Sequence, residues 1–241
     1  MCYGTIRWKY WQKGIDEMSV LSIRNLSFAY DRHHPVIRNL SLDFDQGKSY
    51  AIIGRSGAGK TTLLSMLSGL LKPVKGQILY NDQDITKINQ FVYRSRDVGV
   101  VFQSYNLLPK LTAMENVVLG MDVARVRHVK KKETAKALLK RVGLTEAEMG
   151  RRVLLLSGGQ QQRVAIARAL SYNPHVILAD EPTGNLDVYT TREIMNILNQ
   201  LAHEYEKCIV IVTHSPQVAE MTDQVYDLSE LNRNGVNRDM E

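Results

Sequence analysis

The residues Gly54-Arg55-Ser56-Gly57-Ala58-Gly59-Lys60-Thr61 satisfy the pattern G-x-x-x-x-G-K-[ST] at every fixed position. The chemistry of such an arrangement is phosphate capture. Glycines allow successive backbone N–H groups to turn inward around a phosphate, and the N-terminus of a following helix adds its positive dipole end. Lys60 supplies a cation to the outer phosphate oxygens, the Thr61 hydroxyl is placed to ligate Mg²⁺, and Thr62 extends the binding segment. A flexible Gly-rich turn would share the composition but not the context. Here a strand-like run ending at Ile53 leads in, and an apolar helix with Leu63, Leu64, Met66, Leu67 and Leu70 leads out.

A phosphate loop of this kind needs a second Mg²⁺ anchor at the end of another strand. Val176-Ile177-Leu178-Ala179 is a buried-strand pattern, and it ends in Asp180, where ligands bind at the carboxyl ends of α/β sheets. Glu181 follows directly and is the candidate general base for a water attacking the terminal phosphate. Pro182 stops the strand.

Leu156-Ser157-Gly158-Gly159-Gln160 opens a helix carrying Val164, Ala167 and Leu170. Ser157 and Gln160 have the spacing of a capping box. Two glycines in a first turn cost roughly 1 kcal/mol each in helix propensity, and close approach of an anion to a bare helix N-terminus would explain that cost. A second phosphate-binding helix end, distant from the first loop, suggests a nucleotide held between two copies of the chain.

On these residues the sequence resembles the ATP-binding subunits of ABC transporters, whose signature is LSGGQ. The resemblance runs from about Val20 to Leu231 with the motifs in the family's order. It implies that Tyr30 stacks on adenine and that Gln103 senses Mg²⁺ and the attacking water. It further implies that Asn185-Leu186-Asp187 communicates across a dimer and that His214 contacts the γ-phosphate. The cofactors implied are ATP and Mg²⁺. The dimer implied is head-to-tail, so that Ser157 and Gly159 of one copy face the phosphate loop of the other. Three stretches, Gln103–Pro109, Gln160-Gln161-Gln162 and Ala179–Asp187, resemble the lipoprotein-release and macrolide-export group. That group implies an integral membrane permease as partner, with or without an extracytoplasmic adaptor, and a cytoplasmic chain held on the inner face of the membrane. Two positions depart from the group: Val153 stands where proline is usual, and Ser215 where Asp commonly follows the histidine.

The elements that must position these residues alternate as in an α/β protein. Strand-like runs lie at Val20–Leu26, Leu40–Phe44, Tyr50–Ile53, Gln77–Tyr80, Val98–Phe102, Val176–Ala179, Cys208–Thr213 and Gln224–Leu228. The early ones read as hairpins, with a turn at Asp45-Gln46-Gly47-Lys48, and the later apolar ones as central parallel strands. Capping boxes at Thr112/Glu115 and Thr145/Glu148, and the stripe Ala135, Leu138, Leu139, Val142, give a helical insertion over about 104–172. The expected fold class is α/β: a phosphate-loop NTPase core with a mainly parallel sheet, an N-terminal antiparallel β subdomain and a helical signature subdomain.

The domain is expected to span 18–231, with tails at 1–17 and 232–241 and no regulatory domain. The first seventeen residues hold Trp8 and Trp11 with basic neighbours. They read either as a tail upstream of the true start at Met18 or as an interfacial membrane segment. No apolar run approaches the roughly 18 residues that a membrane span needs, and Cys2 and Cys208 form no metal or redox spacing. The net charge is +6, yet residues 125–152 hold ten Lys/Arg against three acids, so the rest of the chain is close to neutral. A general basic character, and with it a nucleic-acid partner, is therefore not expected. The basic stretch reads either as a face toward anionic lipid or as a solvated helix surface. A soluble ABC ATPase acting on ribosome or DNA fits less well. The chain has one ATPase domain, and only 97 residues separate Lys60 from Ser157. A GTPase would need an Asn-Lys-x-Asp motif, which is missing from the sequence.

Overall fold

Apolar residues at alternate positions build the first layer. In β1 (Ser19–Ala29) Leu21 and Ile23 point inward, then Leu26 and Phe28 do. The phase changes at Asn25, whose φ of 48° marks a bulge that shifts the register against the neighbouring strand. A computed structural model describes residues 19–31 and 35–232. The expected tail at 1–17 lies outside the described residues, as does 233–241 of the expected tail at 232–241.

Two sheets form the molecule. β1 pairs antiparallel with β2 (Pro35–Asp45) and β4 (Lys75–Tyr80), and β4 pairs with the short β5 (Gln83–Asp84), in the order β2-β1-β4-β5. The second sheet, of order β6-β7-β8-β3-β9, has only parallel pairings among the described residues. Its strands are β3 (Ser49–Ile53), β6 (Val98–Phe102), β7 (Val176–Asp180), β8 (Cys208–Val212) and β9 (Gln224–Asp227). β7 and β8 are almost fully buried, as expected of strands covered on both faces. The expected strands therefore all form, with no end shifted by more than five residues, and β5 is added.

The helices complete the layers: α1 (Lys60–Leu67), α2 (Gln90–Val92), α3 (Ala113–Val123), α4 (Lys131–Arg141), α5 (Glu146–Met149), α6 (Gly158–Leu170), α7 (Val188–His203) and α8 (Pro216–Ala219). A single π-turn, Tyr93–Asp97, follows α2, and a 3₁₀ turn, Val153–Leu155, precedes α6. α3 to α6 form the helical insertion. α3, α5 and α6 start at Thr112, Thr145 and Ser157 with reciprocal capping boxes. Ala135, Leu139 and Val142 are fully buried in one cluster with Val117, Met121 and Val164, which continues onto Ile177, Ala179 and Ile211 of the parallel sheet, while Leu138 is only partly buried. A second core lies between the antiparallel sheet, β3 and α1.

Candidate functional site

Register determines where the chemistry gathers. Phe102 pairs with Asp180, Asp180 with Val212, and Val212 with Ile52. Four adjacent strands thus end at one level, and each releases a predicted residue there. Gln103 follows β6, Asp180 and Glu181 close β7, His214 follows β8 by two residues, and the Gly54–Thr61 loop follows β3.

Within that loop Gly57 and Gly59 have φ of 79° and 93°, the left-handed region that glycine alone enters freely. Gly59 is constrained twice, because a Cβ there would lie 2.6 Å from Val36 Cγ1. Ala58 N–H donates to Arg55 O at 3.1 Å, curling Arg55, Ser56 and Gly57 into a turn. Lys60 Nζ donates to the carbonyls of Gly54 (2.8 Å) and Arg55 (3.3 Å), so its cation is held across the mouth of the loop. Two later residues brace the loop from outside. Ser229 Oγ accepts Arg55 N–H at 3.3 Å. Asn232 accepts Arg38 N–H at 3.1 Å and donates to Val36 O at 3.0 Å. Asn232 is thus bonded into the body, one residue past the expected end of the domain.

The Thr61 hydroxyl lies near enough to the Asp180 carboxyl to favour its charged form, so two expected Mg²⁺ ligands stand close together. Burial raises Asp180 above the usual carboxylate range, and the adjacent Glu181 charge raises it further; Thr61 and Lys60 oppose both. A hydroxyl and one carboxylate form a hard-oxygen set suited to Mg²⁺, which keeps its remaining positions for water and phosphate oxygens. Among the described residues no group of three His, Cys, Asp or Glu is arranged to hold a metal ion.

Glu181 has φ of 46°, a sparsely populated conformation held by its N–H bond to Val212 O at 2.9 Å. Its Oε1 lies 2.7 Å from His214 Nδ1, and its Oε2 accepts from Thr213 Oγ1 at 3.3 Å. Thr213 is a site residue that sequence reasoning missed, although its place beside His214 was a signal. Ser215, one of the two departures, caps α8 by accepting Val218 N–H at 3.4 Å with Pro216 at the first helical position. Ser serves this role as well as Asp.

Gln103 Nε2 donates to Asn185 Oδ1 at 3.4 Å, and a Cβ on Gly184 would lie 2.8 Å from that nitrogen. Arg168, from the last turn of α6, donates to the carbonyls of Asn106 (2.5 Å) and Tyr105 (3.0 Å), both residues with positive φ. The segment after Gln103 is therefore pinned to the far end of the signature helix. Asn116 pins it again through Leu108, accepting its N–H at 2.8 Å and donating to its carbonyl at 3.2 Å.

Tyr30 is 69% exposed, with its ring edge-on to Phe28 and its hydroxyl 3.0 Å from Thr62 Oγ1. An exposed ring tethered at its tip to the helix after the phosphate loop is suited to stacking on a base.

The signature helix starts as expected. Ser157 N–H donates to Gln160 Oε1 at 2.8 Å, and Gln160 N–H returns a bond to Ser157 Oγ at 3.3 Å. The two glycines also have neighbours within the chain. A Cβ on Gly158 would meet Tyr105 Oη at 2.9 Å, and one on Gly159 would meet Thr190 Cγ2 at 2.5 Å. A side chain at either position would therefore have to displace Tyr105 or Thr190 of the same chain. Val153, the other departure, donates its N–H to Leu111 O at 3.2 Å, a bond that proline could not make. Asp187 caps α7, accepting Thr190 N–H at 2.9 Å.

Comparison with known proteins agrees with these features. The family model described as ABC transporter matches residues 37–184. The chain is 42% identical over 207 residues to the uncharacterized ABC transporter ATP-binding protein YclH of Bacillus subtilis (strain 168), covering 86% of this chain and 92% of that protein. It is 40% identical over 218 residues to the lipoprotein-releasing system ATP-binding protein LolD of Syntrophotalea carbinolica, covering 88% and 96%. Among solved structures it is similar to the dimeric bacterial ABC transporter cassette MJ0796, with a TM-score of 0.77 and 36% identity over 85% of this chain and 92% of that one. A post-hydrolysis dimer of the same cassette, bound to ADP and Pi, gives a TM-score of 0.76 at 35% identity, with the same shares covered.

Proposed function

The chain belongs to the ABC transporter ATP-binding family, and from that premise we propose that it drives a membrane permease of the lipoprotein-release and macrolide-export type. It is an ATPase using ATP and Mg²⁺, and ABC subunits of this kind work as dimers with membrane permeases. The observation carrying the reading is the common carboxyl edge of β3, β8, β7 and β6, from which Lys60, Thr61, His214, Asp180, Glu181 and Gln103 all emerge.

Each side chain has a task in this reading. The loop N–H groups and Lys60 bind the phosphates, while Thr61 and Asp180, with Gln103 beside them, hold Mg²⁺, which neutralises phosphate charge when bound. The Glu181 carboxylate takes a proton from the attacking water, worth about 10²–10⁴ in rate. Thr213 and His214 fix the direction of that carboxylate, and His214 also reaches toward the terminal phosphate. Tyr30 stacks on the base. The helix start at Ser157, Gly158, Gly159 and Gln160 belongs to a different subdomain from Lys60 and closes over the ATP of a second copy. Binding then joins two copies, and hydrolysis releases them.

The permease assignment draws on the likeness to the lipoprotein-releasing protein and on one surface. Phe91 and Val123 are 49% and 54% exposed along a groove whose other walls include Leu119 and Tyr172, with Arg94 and Arg168 also lining it. Arg125 lies over the Phe91 ring at 5.6 Å. An amphipathic permease helix with acidic ends suits such a groove. No helix among the described residues is long and apolar enough to cross a membrane. In our reading the permease holds the chain at the inner face, and the basic 125–152 surface lies near anionic lipid. The test is purification of the tagged chain from detergent-extracted membranes. A four-span permease with a large extracytoplasmic domain should accompany it, with or without an adaptor. A permease of another architecture would sink the subgroup, and a ribosomal or repair complex would sink the transporter class.

A further inference from the structure

Thr190, in the first turn of α7, makes two contacts of different kinds. Its N–H and hydroxyl both donate to the Asp187 carboxylate, at 2.9 Å to Oδ1 and 2.7 Å to Oδ2. Its methyl faces the signature helix. A Cβ on Gly159 would lie 2.5 Å from Thr190 Cγ2, and the next nearest atoms, also of Thr190, would be at 3.8 Å. One residue earlier, a Cβ on Gly158 would approach Leu186 Cδ2 to 3.5 Å. The first turn of α6 therefore lies flat against residues 186–190 of the same copy.

That segment continues without a break to the base. Leu186 N–H donates to Thr183 O and Gly184 N–H to Glu181 O, each at 3.1 Å, and Asn185 meets Gln103. We propose that Thr190 is a positioning residue for hydrolysis. Its methyl sets the spacing between the signature turn and the loop that begins at Glu181 and ends at Asp187. The proposal rests on the reading of the chain as an ATP-closed dimer. Under that reading the signature turn touches nucleotide held by the other copy, so Thr190 acts on turnover and on closure. Both of its hydrogen bonds go to Asp187 and its methyl to Gly159, so the affinity of the phosphate loop for ATP is expected to be unchanged.

Two substitutions in the full chain separate the contacts. Thr190→Ser keeps the hydroxyl and the Asp187 cap but deletes the methyl. Thr190→Val keeps a methyl but deletes the hydroxyl. ATPase kcat and KM, thermal unfolding, and ATP-dependent dimerisation in the Glu181→Gln background are measured for each. Thr190→Ser is expected to lose about tenfold in kcat, since displacements near 1 Å cost up to about 10²-fold. Its KM for ATP and its unfolding temperature should match the parent, and its ATP-driven dimer should weaken in step with kcat. Thr190→Val should unfold earlier yet keep more of the parental kcat than Thr190→Ser. Parental kcat in Thr190→Ser overturns the proposal, as does a loss that only follows the amount of folded protein. Greater kcat damage in Thr190→Val than in Thr190→Ser also overturns it, leaving Thr190 a helix cap alone. Either result leaves the ATPase reading standing if the parental activity disappears with Lys60→Ala. Activity that survives Lys60→Ala removes that reading and the proposal with it.

Discussion

Replacing Glu181 by Gln separates chemistry from binding at this site. Shape is conserved, and the side chain is only 15% exposed in the parent. An amide oxygen can still accept from Thr213 Oγ1, now 3.3 Å away, and His214 Nδ1, at 2.7 Å, can accept an amide proton in its other tautomer. Exchanging two such bonds for neutral ones lowers folding stability by about 2–3 kcal/mol at most. The proton acceptor, however, is lost. General-base catalysis contributes about 10²–10⁴ in rate, or about 2.7–5.4 kcal/mol in the barrier at 1.36 kcal/mol per decade. Neutralising Glu181 also removes one of the two influences that raise Asp180, so that carboxylate keeps its charge down to a lower pH than in the parent. Single-turnover hydrolysis of radiolabelled ATP, combined with size-exclusion chromatography in Mg²⁺-ATP, reads both consequences. We expect kcat to fall by that factor, KM to stay within about threefold, and an ATP-bound dimer to persist. Turnover within tenfold of the parent would refute the base assignment. Loss of ATP binding would refute the division between Glu181 as base and Asp180 as ligand.

Lys60→Ala removes the cation bridging Gly54 O and Arg55 O as well as the phosphate contact; isothermal titration should show ATP affinity reduced at least tenfold, and unaltered hydrolysis would overturn the phosphate-loop reading. Asn116→Ala deletes three bonds from a fully buried amide, to Leu108 N, Leu108 O and Thr112 O, at about 2–4 kcal/mol, so melting should drop by about 5–15 °C. Because Asn116 pins the segment after Gln103, kcat should fall in the same variant well below its melting temperature. Burial lowers Lys207, bonded to Asn173 Oδ1 at 2.7 Å, to about 8, below its ordinary range. The fold thus resists a proton that the unfolded chain keeps, so Lys207 penalises stability below about pH 8 and the penalty fades as pH rises toward 10.5. Lys207→Met should therefore stabilise the protein by about 2 kcal/mol at neutral pH, with the advantage gone above about pH 10.5 in denaturant titrations; an advantage that persists there would contradict the lowered value.

What could be read from the residue order was whatever depends on neighbours in sequence. The β7 run ending in Asp180-Glu181, the three capping boxes and the α4 stripe are local patterns, and each appears where its chemistry required. Parallel pairing followed from apolarity alone, but the shared level of the strand ends is a matter of register, which no single strand encodes. Positive φ at Tyr105 and Asn106 has no glycine to announce it, because Arg168, more than sixty residues later, supplies the bonds that hold it. The same applies to Gly159: the first-turn glycines pointed to an anion, whereas the nearest obstacle to a side chain is the methyl of Thr190. The π-turn at Tyr93–Asp97 and the two-residue β5 are too short for periodicity to register.

The order of the parallel sheet has a consequence in time. β3 carries the phosphate loop and lies between β8 and β9, which are among the last strands in the chain. A ribosome adding about 5–20 residues per second completes β3 roughly 8–30 s before β8 begins. During that interval the loop has neither flanking strand, and Ser229 and Asn232, which brace it and β2 in the finished fold, have not been made. Nucleotide can therefore assist only the closing steps of folding, and the nascent chain must shield Tyr50, Ala51 and Ile52 by other means until then.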